Sequence, residues 1–133
     1  MINHSNVTFI GTTDNPTDSL EFHEAIREDA DFTVEVAPSF RPDEAFAIGE
    51  EKFTNFVHKL QDVSSKEVTT YKELITEIEA RVDYFNERGA IISDHGLGKL
   101  LYAESTDEEI EERLHEEAPA DWWYDLEWTK KEK

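Results

Sequence analysis

The sequence has no cysteine, and this absence excludes disulfide bonds, zinc sites with cysteine ligands and catalysis by a thiol. The absence of cysteine is compatible with a reducing cytoplasm. No apolar run approaches the ~20 residues that are needed to cross a bilayer. The first residues, MINHSNVTF, lack the basic start and the apolar middle of a signal peptide. We therefore expect a soluble protein of the cytoplasm.

Basic residues are also few, because 13 lysines and arginines stand against 32 acids and give a formal net charge of −19. A surface of this sign repels nucleic acids and anionic membranes, so neither is an expected partner. The simplest interpretation of the charge is a solvated acidic surface. With 133 residues, the chain is expected to form a single domain, 1–133, around one core.

Short β-rich runs alternate with stretches at helical spacing. Strands are predicted at 7–10, 32–36 and 90–92, and each runs into residues that favour turns. A helix over 19–30 has Leu20, Phe22, Ala25 and Ile26 toward one face, and a second helix begins at Pro42 and continues past Phe46 to Leu60. This order predicts βαβ units with about three parallel strands and flanking helices, an α/β fold.

The clearest helix is predicted to begin with the capping box Thr70-Tyr71-Lys72-Glu73 and to end at Gly89 in a left-handed conformation. An acidic helix from Thr106 has few apolar residues, so we expect it to be superficial and to add little core. It leads into a tryptophan-rich segment at 122–128. That segment either packs on its own domain or forms a docking surface.

Polar clusters follow the predicted strands, at the edge where parallel α/β folds bind ligands. Asp14 and Asn15 either form a turn before Pro16 or face a ligand. Arg41 either pairs with a surface acid or clamps a substrate carboxylate. Asp94 and His95 either form a hydrogen-bonded turn or have a function. In the second case, the acid or the imidazole moves protons or holds a metal or a sugar hydroxyl. The other histidines are expected to be solvated: His4, His23, His58 and His115.

Five blocks together resemble the middle of a uronate isomerase, also called glucuronate isomerase: TTDNPTDSLEFHEAI, PSFRPDEAF, FTNFVHKL, RVDYFNERGAIISDHGL and YAESTDEEIEERL. They cover roughly 5–115. The resemblance implies three consecutive strands of an amidohydrolase-like TIM barrel. It also implies an enzyme of bacterial uronate catabolism that interconverts D-glucuronate with D-fructuronate and D-galacturonate with D-tagaturonate.

The resemblance also implies site residues. Arg41 of the FRPD block, with Thr13 and Asp14 of the TTDNP block, would bind substrate, although Asn15 replaces an aspartate that is usual in the family. Asp94 and His95 of the SDHG block would line the pocket as catalytic candidates. The family's metal ligands are a His-x-His pair and an aspartate on other strands, and this sequence has no His-x-His. We therefore expect no metal or cofactor in this chain, whereas a full-length enzyme could bind a divalent metal.

The expected function is part of a uronate isomerase whose substrate is a uronate sugar, and this chain alone is expected to be inactive. Three strands cannot close an eight-stranded barrel. The chain is then either an excised internal piece or a natural partial relative that assembles with other chains. The bare outer strands would allow a homodimer. The alternative function is a non-catalytic acidic protein-interaction module derived from the same fold.

Overall fold

Short parallel strands alternate with helices, which confirms the predicted α/β class. The structure is a computed structural model, and it describes residues 5–96, 98 and 102–117. The strands are β1 (Phe9–Gly11), β2 (Glu35–Ala37), β3 (Ser39–Phe40) and β4 (Ile92–Ser93). The helices are α1 (Glu21–Glu28), a 3₁₀ helix (Asp43–Phe46), α2 (Glu51–Ser64), α3 (Tyr71–Glu87) and α4 (Asp107–Glu117). None of these helices has both the length and the apolar character of a membrane span.

The strands pair in parallel. β1 pairs with β2, with Gly11 opposite Ala37, and β3 pairs with β4, with Phe40 opposite Ser93. An isolated parallel bridge between Asp14 and Phe40 connects the two pairs. The three predicted strand regions are therefore neighbours in chain order, and the polar clusters that follow them lie at one edge.

The second strand region differs from its predicted bounds. Pairing begins at Glu35 and continues through Phe40, whereas the prediction ended at Val36. Pro38, one of the turn-favouring residues that follow the predicted strand, does not end the extended backbone. It separates β2 from β3, because proline has no N–H for the ladder and its extended backbone still suits a strand. The first and third strands lie one or two residues later than predicted.

The local signals of α3 are confirmed. The Thr70 hydroxyl accepts the backbone N–H of Glu73 at 3.2 Å, and the Glu73 carboxylate accepts the N–H of Thr70 at 3.1 Å. Gly89 follows the helix with a φ of 90°, in the left-handed region. Of the apolar residues of α3, Leu74 and Phe85 are buried, while Val82 is exposed.

Two apolar clusters form the core of the described residues. One lies among α2, α3 and α4 and contains Ala47, Phe53, Phe56, Val57, Leu60, Val68, Leu74 and Leu114. The other joins the strands to α3 and contains Leu20, Phe40, Phe85 and Ala90. In the second cluster, the rings of Phe40 and Phe85 meet edge to face with centroids 5.2 Å apart. This contact holds the end of β3 against the last turns of α3.

Three helix predictions are wrong in their details. In α1, Phe22 is 74% exposed and His23 is buried, because the imidazole has a hydroxyl partner, Thr12, outside the helix. The helix predicted from Pro42 is interrupted, since the 3₁₀ turn ends at Phe46 and α2 begins only after Gly49, whose φ is 83°. The acidic helix α4 is not superficial, because Leu114 is fully buried in the first cluster.

The remaining predictions concern three histidines and the tryptophan-rich segment. His58 is exposed as expected, whereas His115 is only partly exposed and contacts Glu111 at 3.3 Å. The tryptophan-rich segment at 122–128 and His4 lie outside the described residues.

Candidate functional site

The ends of β3 and β4 bring together the side chains of Arg41 and Asp94. Phe40 and Ser93 are partners in the parallel ladder, so the residues that follow them emerge side by side. The Nε of Arg41 donates to Oδ1 of Asp94 at 3.0 Å, and its Nη2 donates to Oδ2 of the same carboxylate. Each side chain is 37% exposed, so the pair is accessible to a ligand.

This pairing changes the electrostatics of both groups. The hydrogen bonds from the Arg41 guanidinium hold the pKa of Asp94 below its ordinary value. The carboxylate in turn raises the pKa of Arg41, with a smaller contribution from Asp43. Both groups are therefore charged at neutral pH. Sequence reasoning left two partners open for Arg41, an acid of the protein or a ligand carboxylate, and the structure pairs it with an acid.

His95 lies at the same edge and contacts Asp43, the first residue of the 3₁₀ helix. Its Nδ1 is 3.2 Å from Oδ1 of Asp43, and the other oxygen of that carboxylate accepts the N–H of Gly96 at 2.7 Å. The ring of Phe46 packs edge to face on the imidazole at 5.7 Å. In the tautomer whose Nδ1 donates to this carboxylate, Nε2 is the acceptor nitrogen.

Asp43 is a site residue that sequence reasoning missed, because its position at a helix start explained its charge. The available signal was its place in the FRPD block, two residues after Arg41. Gly96 is also part of this arrangement. A Cβ at Gly96 would meet Oδ2 of Asp43 at 3.0 Å, so a glycine permits the close approach of backbone and carboxylate.

Asp14 is buried at the junction of β1 and β3. Its carboxylate accepts the Thr12 hydroxyl at 2.6 Å and the N–H of Ser39 at 3.2 Å. Its backbone N–H donates to the Ser39 carbonyl at 3.0 Å, and its own carbonyl accepts the N–H of Arg41 at 3.1 Å. Asp14 therefore holds the backbone that carries Arg41. Thr13, beside it, is exposed.

Of the two residues predicted to form a turn before Pro16, Asn15 makes the turn contacts. The Asn15 side-chain oxygen accepts the N–H and the hydroxyl of Thr17, at 3.0 Å and 2.8 Å. Asn15 thus has a local structural role in the segment that leads to α1.

The donor set at this edge does not fit a metal ion. In the described ranges of the chain, no three histidine, aspartate or glutamate side chains are grouped so that they could hold one. Both oxygens of Asp94 are engaged by Arg41, and Asp43 is engaged by His95 and Gly96. What remains is a guanidinium with unused donors and an imidazole held by a carboxylate.

Comparison with known proteins gives one consistent family. A family model described as glucuronate isomerase matches residues 1–127. The uronate isomerase of Bacillus pumilus is 41% identical over 111 residues, which are 84% of this chain and 23% of that protein. The uronate isomerase of Bacillus subtilis is 43% identical over 109 residues, 82% of this chain and 23% of that protein. The chain thus spans about a quarter of the length of these curated relatives.

Solved structures show the same fold. A uronate isomerase from Thermotoga maritima superposes with a TM-score of 0.77 at 22% identity, covering 91% of this chain and 26% of that one. A glucuronate isomerase from Caulobacter crescentus gives a TM-score of 0.77 at 25% identity, covering 92% of this chain and 26% of that one. The strands and helices described above therefore correspond to one stretch of a longer fold.

Proposed function

Because the chain belongs to the glucuronate isomerase family, we propose that it forms part of a uronate isomerase and supplies one side of its substrate pocket. The reactions would be D-glucuronate to D-fructuronate and D-galacturonate to D-tagaturonate. The observation that carries this proposal is the convergence of Arg41, Asp94 and His95 beyond the carboxyl ends of β3 and β4. The comparisons do not favour the alternative of a non-catalytic interaction module.

Arg41 is the proposed contact for the substrate's carboxylate. A guanidinium binds a carboxylate through two parallel hydrogen bonds, which fixes the orientation of the sugar as well as its position. The side chain is accessible, and its backbone is held by Asp14. Thr13 and Asp14 belong to the same wall of the proposed pocket, with the exposed Thr13 as the nearer contact.

His95 is the proposed proton-transfer group. In an aldose-to-ketose conversion, a base removes the proton from C2 and a proton is delivered to C1, while a second proton moves from the hydroxyl oxygen on C2 to the oxygen on C1. The net reaction therefore needs no external oxidant. A neutral imidazole with a free Nε2 can accept and return such a proton. The Asp43 carboxylate at Nδ1 would hold the ring in the required tautomer.

The residues outside this chain would complete the barrel. Ile91, just before β4, and Ile92, in β4, are 79% and 47% exposed. In the described residues β4 pairs with β3 alone. A groove of about 450 Å³ beside this edge is lined mostly by apolar side chains, among them Phe40, Val82 and Ile92, and also by Asp83, Asn86, Ser93 and His95. A further strand and helix would cover both. We infer that residues 1–133 are one part of a single barrel domain.

The substrate and the location of the enzyme follow from this assignment. The uronate sugar is the proposed substrate, and the cytoplasm is the proposed location of the enzyme. Since the described residues do not fit a metal site, no step of the proposed chemistry passes through a metal here.

The test is a chimera of the Bacillus subtilis uronate isomerase in which this chain replaces the matching segment. We expect conversion of D-glucuronate to the ketose, and we expect His95→Asn to lower kcat by roughly a hundredfold or more. His58→Asn, an exposed histidine on α2, serves as the control and should leave kcat unchanged. Full turnover by the His95→Asn variant would contradict the proposed role. The chain alone should give no turnover above that of a heat-denatured sample.

A further inference from the structure

We propose that Asp94 is a positioning residue that holds the guanidinium of Arg41 by its side, so that the outer pair of N–H donors faces the uronate carboxylate. The inference rests on the proposed function, since it assigns the geometry with which Arg41 would bind that substrate. It also separates the roles of two neighbours. His95 would act on the reacting carbons and oxygens, while Asp94 would act through Arg41.

The geometry of the pair supports this role. A guanidinium is planar, and four of its five N–H bonds form two forks. The side fork consists of Nε–H and one Nη2–H, and the outer fork of one Nη1–H and the other Nη2–H. Asp94 accepts from Nε and Nη2, which is the side fork. Among the described residues, Nη1 has no hydrogen-bond partner. The outer fork therefore remains free for a second carboxylate.

The backbone on both sides of the pair is fixed as well. The N–H of Asp94 donates to the carbonyl of Phe40 at 3.2 Å, and the Ser93 hydroxyl donates to the same carbonyl at 3.0 Å. The N–H of Arg41 donates to the Asp14 carbonyl at 3.1 Å. An unpaired arginine would sample many rotamers, and fixing it only when substrate binds would reduce affinity. Asp94 removes that freedom before the substrate arrives.

If Asp94 positions Arg41, removing Asp94 should change the affinity for uronate in the direction opposite to the one expected from charge alone. Asp94 is an anion next to the proposed site of another anion, so deleting its charge should strengthen uronate binding if only long-range electrostatics matter. The same deletion should also strengthen binding if Asp94 competes with the substrate for Arg41. If Asp94 instead orients Arg41, removing it should weaken binding.

The kinetic test uses the chimera defined above. We expect Asp94→Ala to raise KM for D-glucuronate by roughly ten- to a hundredfold, with a much smaller change in kcat, because a carboxylate contact remote from the reacting carbons acts mainly on binding. Asp94→Asn, which keeps one acceptor oxygen, should give a smaller rise. Glu116→Gln is the matched control, since it removes one negative charge from an exposed ion pair with Arg113. Its KM should equal that of the parent.

The outcomes separate the inference from the proposed function. If the parent chimera is active and Arg41→Lys raises KM while Asp94→Ala lowers it or leaves it unchanged, Arg41 binds substrate and the positioning role is wrong. If the folded parent chimera shows no turnover, the proposed function fails. The inference is then decided on the 133-residue chain by the second measurement.

The second measurement follows the Arg41 guanidinium by NMR in the 133-residue chain, with acetate as the probe. We expect the Nε–H signal of Arg41 to be protected from exchange and to stay in place during the titration, while the Nη signals shift as acetate binds the outer fork. In Asp94→Ala the Nε–H protection should be lost and the response to acetate should weaken. A shift of the Nε–H signal in the parent chain, with release of Asp94, would overturn the proposal.

Discussion

The hydroxyl of Thr12 lies 2.7 Å from Nε2 of His23 in a partly buried contact that joins the end of β1 to α1. The same hydroxyl donates to the carboxylate of Asp14 at 2.6 Å. Since a hydroxyl has a single hydrogen, Nε2 must carry the hydrogen of the bond to Thr12. The three side chains thus form a continuous chain of hydrogen bonds that ties α1 to the residue that holds the backbone of Arg41.

Thr12→Val should lower the free energy of unfolding of the chain by about 1–3 kcal/mol, because it leaves buried polar atoms of His23 and Asp14 without their partner. Urea unfolding measures this directly. Thr13→Val makes the same chemical change at the exposed neighbouring residue and should have an effect within about 0.5 kcal/mol. Equal losses in the two variants would show that the hydrogen-bond chain does not contribute to stability.

The fold was predictable where the signals are local. The capping box at Thr70 and the apolar spacing that follows it define α3 without reference to the rest of the chain, because both act within a few residues. The bounds of β2 and β3 were not predictable, since they depend on which strand pairs on either side of Pro38. The buried face of α1 also depends on a distant partner, as His23 is buried against Thr12.

The candidate site was predictable as a place and not as a set of contacts. Arg41 and Asp94 were singled out because each follows a strand, and parallel strands end at a common edge. Their pairing, across 53 positions, follows only from the register of β3 and β4. Asp43 was missed because a helix start already accounted for its charge.

Arg81→Lys should destabilise the chain by about 2–3 kcal/mol. Arg81 is buried on α3, where its Nε donates to the Pro16 carbonyl at 2.6 Å and its Nη2 to the Asp18 carbonyl at 2.7 Å. Its guanidinium also lies 3.8 Å from the centre of the Tyr84 ring. A lysine ammonium cannot reproduce this fork, so one carbonyl loses its donor. Thermal unfolding measures the loss.

Arg113→Lys is the control for that substitution. Arg113 is an exposed residue of α4 that pairs with Glu116 and Glu117, so its replacement should change stability by less than about 0.5 kcal/mol. A similar melting temperature for the two variants would mean that the bonds from Arg81 to the segment before α1 add nothing to stability.

Leu114→Ala should cost about 2–5 kcal/mol, the range for truncating a buried leucine. Leu114 packs with α2 and α3 in the larger apolar cluster, and Ile110 supports it from the previous turn. Glu112→Ala changes an exposed residue of the same helix and controls for helix propensity. A negligible effect of Leu114→Ala in urea unfolding would restore the view of α4 as a superficial helix.

The capping carboxylate of Glu73 should make stability depend on pH. The N–H of Thr69 and that of Thr70 donate to it, with the Thr69 hydroxyl, and these bonds hold the pKa of Glu73 below its ordinary value of 4.5. The folded state therefore favours the charged form. Its contribution is complete above about pH 4.5 and is lost as the pH falls through the lowered pKa.

The variant that isolates this charge is Glu73→Gln, which can still accept the hydrogen bonds but cannot titrate. At pH 7 it should be less stable than the parent by under about 1 kcal/mol, because the group is exposed. The difference should shrink when both proteins are unfolded in urea below pH 4.5. Glu79→Gln, at an exposed position of the same helix, is the control. A difference that stays constant with pH for Glu73→Gln would contradict the role of its charge.

The isolated chain should associate through the outer edge of β4, where Ile92 is 47% exposed and the strand pairs on one side in the described residues. The net charge of −19 opposes this, but the repulsion is screened over about 8 Å at physiological ionic strength, so association should increase with added salt. Light scattering coupled to gel filtration at several concentrations measures it. Ile92→Lys should shift the chain toward monomer, since a charged side chain on an edge strand opposes pairing. Phe22→Lys removes a more exposed apolar side chain from α1 and should not shift it. Equal effects of the two variants, or a parent that stays monomeric at every concentration and salt, would show that this edge does not recruit a second copy.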